Sequence, residues 1–306
     1  MSRASAPWRA AWFAPLVALV VLGVALSLAR PDTFASPQNL ATMARQTVVV
    51  GIAAVGMTLV IVHGGIDLSV GSTVALTTVV IASALRAGAG PFTAALAGIA
   101  TATTAGLANG LMVARLRLPP FIVTLGTMSV LRGLAKGLAH EQKIDADPRG
   151  LDALLTPGSG VFAIVPAGVF VALLVAALAG IALGYTRGGR HVYAVGSSEA
   201  TARLAGIEVE RVRVLVYMLA GALLGLAGLM EFSTLTVGDP TDSVGLELEV
   251  IAAVVIGGAS LSGGQGSISG SLVGAFLMTT IKTGCTHLGL SNWVQEIVTG
   301  VIIVVA

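Results

Sequence analysis

The stretch QTVVVGIAAVGMTLVIVH, residues 46–63, contains no Asp, Glu, Lys or Arg and has the length of one membrane-crossing helix. Such a helix needs about 17–25 mostly apolar residues. Similar stretches recur along the 306-residue chain, which is 55% hydrophobic, contains 39 Gly and is only 10% charged. Soluble domains carry about 25% charged residues. The composition therefore excludes an ordinary soluble enzyme, a disordered protein and a nucleic-acid binder.

The apolar stretches predict an all-α polytopic membrane protein with about ten transmembrane helices, forming a single domain over residues 1–306. The predicted spans are residues 10–29, 46–63, 67–85, 92–114, 121–139, 162–184, 214–232, 246–261, 267–284 and 291–306. A membrane β-barrel is disfavoured, because its strands would alternate polar and apolar residues. A signal peptide is the weaker alternative for the first span, which exceeds the usual 7–15-residue apolar core. The eighth span is short and interrupted by Gly, so we expect it to be broken or tilted.

Two polar segments set the orientation of the spans. Residues 186–213 hold five arginines, whereas residues 140–161 hold four acids and two prolines. Short loops rich in Lys and Arg stay on the cytoplasmic side of a membrane. The segment 186–213 is therefore predicted to be cytoplasmic and 140–161 to lie outside. The even number of spans then places both termini in the cytoplasm.

The sequence contains no recognisable catalytic set. The four histidines, at positions 63, 140, 191 and 287, are scattered and show no metal-binding spacing. The single cysteine, Cys285, has no base placed beside it, which favours a packing role over that of a nucleophile. We therefore predict no catalytic residue, no metal and no cofactor bound by this chain.

The sequence LSGGQ at residues 261–265 matches the segment that ATP-binding-cassette ATPases use to hold nucleotide. Such ATPases also need G-x-x-x-x-G-K-[ST], which cradles the phosphates, and the chain lacks that motif. The match lies between two apolar spans, and its glycines suit positive φ and close approach. It therefore predicts a tight turn between helices, in a chain that does not hydrolyse ATP.

Polar residues at membrane depth are the first candidates for a translocation path. They are costly unless they face the bundle interior or water. The candidates are Asp67, Asn109, Arg132 and Lys282, with Glu296 as a further acid. Arg132 could instead snorkel to the outer interface, and each of the others could cap a helix or pair with another buried group.

The segment GSSEATARLAG, residues 196–206, predicts a short cytoplasmic helix with a serine N-cap and a glycine stop. Glu199 and Arg203 are four residues apart and can form an ion pair on one face of that helix. Two interpretations remain open. The helix is either a solvated surface helix or a docking element for a partner protein.

Four ordered blocks of the sequence resemble the permease subunit of ribose-type ATP-binding-cassette importers, which take up monosaccharides. The blocks are AVGMTLVI (54–61) with GIDLSVGS (65–72); NGL (109–111), PFIVTLGTM (120–128) and LRG (131–133); GR (189–190), AVG (194–196), EA (199–200) and RLAGI (203–207); and IAAVVIGG (251–258), continuing to Gly266. The resemblance covers nearly the whole chain from about residue 38.

This resemblance implies a multi-pass protein of the bacterial inner membrane that works with partners. ATPase subunits, which hold ATP and Mg, would dock on a coupling helix. The implied coupling residues are Gly196, Ser197, Ser198, Glu199, Ala200, Arg203 and Gly206. A periplasmic sugar-binding protein would dock on the outer loops, and a second permease copy or a close relative would complete the path.

The resemblance leaves several points open. Asp67, Asn109 and Arg132 match positions of the family without a role fixed by the match, and Lys282 departs from the asparagine often found there. The alternatives are a related permease for a nucleoside or a branched-chain amino acid, or a stand-alone secondary transporter with Glu296 as the candidate for a proton- or ion-linked carboxylate. The sugar, and the choice between a homodimer and a heterodimer, also stay open. The chain stops at Ala306, within its last predicted span, so we expect relatives to continue further.

Overall fold

The computed structural model describes residues 12–155 and 165–305, and this part of the chain holds twelve α-helices and one pair of two-residue strands. The helices are α1 Phe13–Ala29, α2 Pro37–Val62, α3 Val70–Arg86, α4 Pro91–Arg115, α5 Pro120–Leu138, α6 Ala167–Tyr185, α7 Arg187–Ser197, α8 Glu199–Leu204, α9 Val209–Leu235, α10 Leu246–Ile256, α11 Ile268–His287 and α12 Asn292–Val305. The strands are β1 Ile144–Asp145 and β2 Val237–Gly238. The prediction of an all-α membrane protein is confirmed.

Among the described residues, five helices are long and apolar enough to cross a membrane, namely α2, α4, α5, α6 and α9. Helices α1, α3 and α12 are apolar but shorter. The predicted number of ten spans and the cytoplasmic placement of both termini stay predictions. Parts of the predicted first and sixth spans and of the 140–161 loop lie outside the described residues.

Helix α2 forms the centre of the bundle, packed against α6, α9, α10 and α11. It begins at Pro37, well before the predicted start at residue 46. The Ser36 side chain accepts a hydrogen bond from the backbone N–H of Asn39. Proline suits the first helical position, because the N–H that it lacks would have no partner within the helix there. The polar first turns therefore extend the helix beyond the apolar stretch that marked it in the sequence.

Small residues allow the long helices α4 and α9 to pack closely. A Cβ atom on Gly106 of α4 would lie 2.9 Å from the Cα atom of Gly221 in α9. A Cβ on Gly225 would lie 2.7 Å from the Cα atom of Ile99. Such contacts are typical of helix pairs in lipid, where the hydrophobic effect does not drive helix association and close van der Waals packing of the backbones does.

The predicted eighth span is a short helix that starts inside the bundle. Strand β2 pairs with β1, and Gly238 packs against Ala82 near the end of α3. Five residues later, Ser243 contacts Gly71 at the start of α3. Positions 71 and 82 are about 16 Å apart along a helix, so the chain between β2 and α10 descends along α3. Helix α10 then ends at Ile256, with Gly257 as its C-cap, which confirms the expectation of a broken span.

The polar segment 186–213 contains two helices where the sequence predicted one. Ser198 adopts an extended conformation between α7 and α8, and its side chain accepts a hydrogen bond from the N–H of Thr201. Gly206 closes α8 with a φ of +79°. The predicted cap and stop are therefore present, but Gly196 and Ser197 are the last residues of α7. Helix α7 was missed because its charged residues lower the hydropathy of the segment, and the apolar face that it buries is short.

Helix α9 is 27 residues long, which separates its two ends by about 40 Å. It starts beside α8 and ends beside β2. We call these the α8 end and the strand end of the bundle. On the predicted orientation, the α8 end is cytoplasmic and the strand end lies outside.

Candidate functional site

Helix α8 is fixed by an alternating network of charges at the α8 end. Arg203 pairs with Glu199 at 2.8 Å and with Glu210 at 2.6 Å, and Arg213 pairs with Glu199 at 2.8 Å. The hydrogen bond from Arg203 lowers the pKa of the Glu199 carboxyl, with a further contribution from Arg213. Each exposed pair alone is weak, but the shared partners tie α8 to the start of α9. The predicted Glu199–Arg203 pair is present.

A cavity of about 620 Å³ lies beside α8. Its lining comes from two parts of the chain: Glu199, Arg203 and Arg213 from α8 and the start of α9, and residues 113, 114 and 117–120 from the end of α4 and the turn into α5. The cavity therefore combines three guanidinium groups, including that of Arg117, with the apolar side chains of the turn.

The LSGGQ segment forms the tight turn that the sequence predicted, and it contacts two other segments. Gly263 and Gly264 have φ values of +85° and +73°. The N–H of Gly264 donates to the Val62 carbonyl at 2.8 Å, at the end of α2. A Cβ on Gly263 would lie 2.7 Å from the carbonyl oxygen of Gly196 in α7 and 2.9 Å from the Cα atom of Gly64. We call this meeting of three chain segments the glycine junction.

A hydrogen bond strengthens the glycine junction from the side of α7. The Tyr193 hydroxyl donates to the Gly266 carbonyl at 2.7 Å. Because α7 leads directly into α8, the segment 187–204 contacts the end of α2 and the loop that follows α10 through the backbone of Gly196 and the side chain of Tyr193.

Asp67 and Asn109 form a buried polar link in the segment between α2 and α3. One carboxylate oxygen of Asp67 accepts hydrogen bonds from the N–H and the hydroxyl of Ser69, at 2.8 and 2.6 Å. The Asn109 side-chain amide donates to the same hydroxyl at 3.1 Å. Asp67 and Asn109 are only 3% and 1% exposed. This arrangement fastens the turn before α3 onto α4, and a role in translocation stays a prediction for both residues.

Arg132 and Lys282 lie elsewhere, around the chain that descends from the strand end. Arg132 donates to the carbonyl oxygens of Pro240 and Asp242 at 2.9 and 2.7 Å. Lys282 pairs with Glu249 of α10 at 3.1 Å. The four predicted path residues are thus divided into two groups at different depths, and their roles in a path stay predictions.

Sequence reasoning missed three acids near this descending chain. Glu231 of α9 and Glu247 and Glu249 of α10 lie within predicted spans, and the carboxyl of Glu231 lies against that of Asp242. An acid inside an apolar stretch is itself a signal, because it needs a partner or water at that depth. Glu296, by contrast, is exposed on α12.

Replacing Arg132 with methionine is expected to destabilise the protein by about 1–2 kcal/mol, since two charge-assisted hydrogen bonds to backbone carbonyls are lost. Methionine keeps most of the apolar stem. Thermal unfolding in detergent measures the effect. Lys136→Met, one turn further along α5, is the matched control and should stay within about 0.5 kcal/mol of the wild type. Equal shifts for the two variants would contradict the role given to Arg132.

Comparison with known proteins defines the class. The family model described as "Branched-chain amino acid transport system / permease component" matches residues 39–306. The chain belongs to this permease family, and it is a multi-pass protein of the inner membrane.

Its relatives include permeases for sugars. The chain is 40% identical to the ribose import permease protein RbsC of Escherichia coli (strain K12) over 292 residues, covering 95% of this chain and 91% of that protein. It is 37% identical to RbsC of Bacillus subtilis (strain 168), covering 95% and 90%. It is 35% identical to the L-arabinose ABC transporter permease protein AraH of Azospirillum brasilense, covering 95% and 85%. No solved structure was found to match. The resemblance to ribose-type permeases is confirmed.

Proposed function

We propose that the chain is the membrane-spanning subunit of an ATP-driven importer that translocates a monosaccharide related to ribose. The names of its relatives support the substrate class, since they include ribose and L-arabinose permeases. The sugar is delivered by a periplasmic binding protein, and a second permease chain, identical or closely related, completes the path.

The observation that carries the proposal is the construction of α8. It is a six-residue helix with its own serine cap, three ion pairs and a glycine stop. Leu204, at its end, is 91% exposed. A rigid helix that presents an apolar side chain and fixed charges suits a protein partner, because few side chains need to be ordered on binding. In this proposal the partner is the ATPase subunit, which holds ATP and Mg²⁺ and hydrolyses the nucleotide.

Among the alternatives, the description of the family model favours a branched-chain amino acid as the second candidate cargo. Reconstituted vesicles that contain the permease, the ATPase and the binding protein distinguish the two cargoes. Uptake of labelled ribose or arabinose, competed by other pentoses but not by leucine, supports the proposal. The reverse pattern would replace the sugar by an amino acid.

Replacing both Glu199 and Arg203 with alanine is expected to lower ATP-dependent uptake by roughly tenfold or more, as loss of a hot spot does at other interfaces. The two side chains supply all three ion pairs that hold α8. Uptake and stimulated ATP hydrolysis are measured in vesicles, after chromatography has shown a folded protein.

The control for this variant is the double replacement Glu208→Ala and Arg211→Ala. That pair lies just beyond α8, is about three-quarters exposed and is 3.8 Å apart. Its loss should leave uptake near the wild-type level. Normal uptake in the Glu199 and Arg203 variant would remove α8 from the coupling role.

A further inference from the structure

The cavity beside α8 carries an excess of positive charge. Three arginines face it, and Glu199 is the one carboxylate in its wall. Glu199 is shared by Arg203 and Arg213, while Arg203 also pairs with Glu210 outside the cavity. Within residues 12–155 and 165–305, Arg117 forms no ion pair. The charges of the cavity are therefore compensated on the side of α8 and uncompensated on the side of the α4–α5 turn.

Unused hydrogen-bond donors at the cavity agree with this charge imbalance. The Nε atom of Arg213 is buried and has no partner among the described residues. Arg117 has five N–H donors in a planar fork, the geometry that matches a carboxylate. The buried Nε atom of Arg213 is closed to an acceptor from outside, so the accessible donors at the cavity are those of the exposed Arg117.

The turn that carries Arg117 is stiff and partly apolar. Arg117 has a φ of +54°, and Pro119 and Pro120 follow it. Proline fixes φ and restricts the residue before it. Leu118, 41% exposed, lies in the same wall. An occupant of the cavity thus meets the guanidinium of an arginine held on a stiff backbone turn, next to apolar side chains.

We propose that this cavity receives an acidic side chain, flanked by an apolar one, from the ATPase subunit, and that Arg117 is its main partner. The proposal rests on the proposed function. Charge complementarity indicates an acidic side chain, and position indicates the ATPase subunit, because Glu199 and Arg203 of α8 line the same cavity as Arg117. A protein that covers α8 therefore covers the cavity as well. Docking then uses two elements of the permease, α8 and the α4–α5 turn.

The α4–α5 turn and α8 are connected to different parts of the bundle interior. Arg117 follows the end of α4, and Asn109 lies two turns earlier on that helix, where it bonds to Ser69. The turn is therefore connected through α4 to the buried Asp67 link, whereas α8 is connected through α7 to the glycine junction.

The test compares Arg117→Glu with Arg115→Glu in the full-length permease. Arg115 ends α4, is exposed and does not line the cavity. Arg115→Glu therefore makes the same change of charge at a residue outside the cavity. The probe is the purified ATPase subunit of the same importer, and its affinity for the detergent-solubilised permease is measured at several salt concentrations. We expect Arg117→Glu to weaken binding at least tenfold and Arg115→Glu to weaken it less than threefold. Arg117→Lys should fall between wild type and Arg117→Glu, since an ammonium lacks the bidentate fork.

Further outcomes distinguish a failure of this proposal from a failure of the proposed function on which it rests. Rescue of Arg117→Glu by an acid-to-lysine change in the ATPase confirms the pair directly. If wild type binds the ATPase and Arg117→Glu, folded by thermal unfolding, binds equally well, the proposal is wrong while the proposed function stands. If the variant instead loses only co-purifying anionic lipid, the cavity is a lipid site and the proposal is also wrong. If wild type binds no ATPase, the proposed function fails first.

Discussion

Replacing Gly196 with alanine is expected to destabilise the protein by about 3 kcal/mol, the upper part of the usual range for overpacking, and to abolish uptake. The added Cβ would lie 2.7 Å from the backbone nitrogen of Gly264 and still closer to the carbonyl oxygen of Val62. Both neighbours are backbone atoms that bond to each other. Neither can move without opening the glycine junction, so α7 must shift away from the end of α2.

Thermal unfolding in detergent and ATP-driven uptake in vesicles measure the two effects of Gly196→Ala. A loss of about 3 kcal/mol lowers the folded-to-unfolded ratio by more than a hundredfold. Gly188→Ala is the matched control in the same helix, because the nearest atom to its added Cβ is the Thr186 hydroxyl at 3.6 Å, an ordinary contact. If the two alanine variants behave alike, the close approach at Gly196 has no energetic consequence.

The glycine junction also shows which features of the fold the sequence could predict. Short-range signals were sufficient for α8, since Ser198 and Gly206 are a cap and a stop within one short segment. They also sufficed for the turn at Gly263 and Gly264. The contact of that turn with Gly196 joins segments far apart in the sequence. No local pattern encodes such a contact, because it depends on how α2 and α7 pack.

The descending chain before α10 was predictable only in part. The short, glycine-interrupted eighth span indicated a broken helix, and Gly257 ends it. The depth of its start follows from the contact of Ser243 with Gly71, which is a tertiary contact. Hydropathy averages over this region and hides Glu247 and Glu249, although an acid in a span signals an interior position.

The part of the candidate site that depends on neighbouring residues in the sequence was predicted, and the part that depends on tertiary packing was missed. Glu199 and Arg203 form the pair that their spacing indicates. Arg117 did not stand out, because an arginine at the cytoplasmic end of a span is what the charge rule leads one to expect. Only the packed structure brings it to the same cavity as α8.

Replacing Asp67 with alanine is expected to destabilise the protein by about 2–4 kcal/mol, since two buried donors lose their acceptor and each unmet donor costs about 1–3 kcal/mol. The donors are the N–H and the hydroxyl of Ser69. The hydroxyl can turn to another acceptor, but the N–H cannot. Loss of the turn also loosens Asn109, which bonds to the same hydroxyl.

Asp67→Asn separates the structural role of this residue from a role in the translocation path. Asparagine keeps one side-chain carbonyl oxygen, so it can accept the same two hydrogen bonds without a negative charge. If Asp67 serves as an acceptor, the asparagine variant should stay within about 1 kcal/mol of wild type and transport normally, while the alanine variant loses both properties. Thermal unfolding and uptake are measured on both. A stable asparagine variant that no longer transports would show that the carboxylate charge itself acts in the path, because the geometry that Asp67 maintains would then be intact.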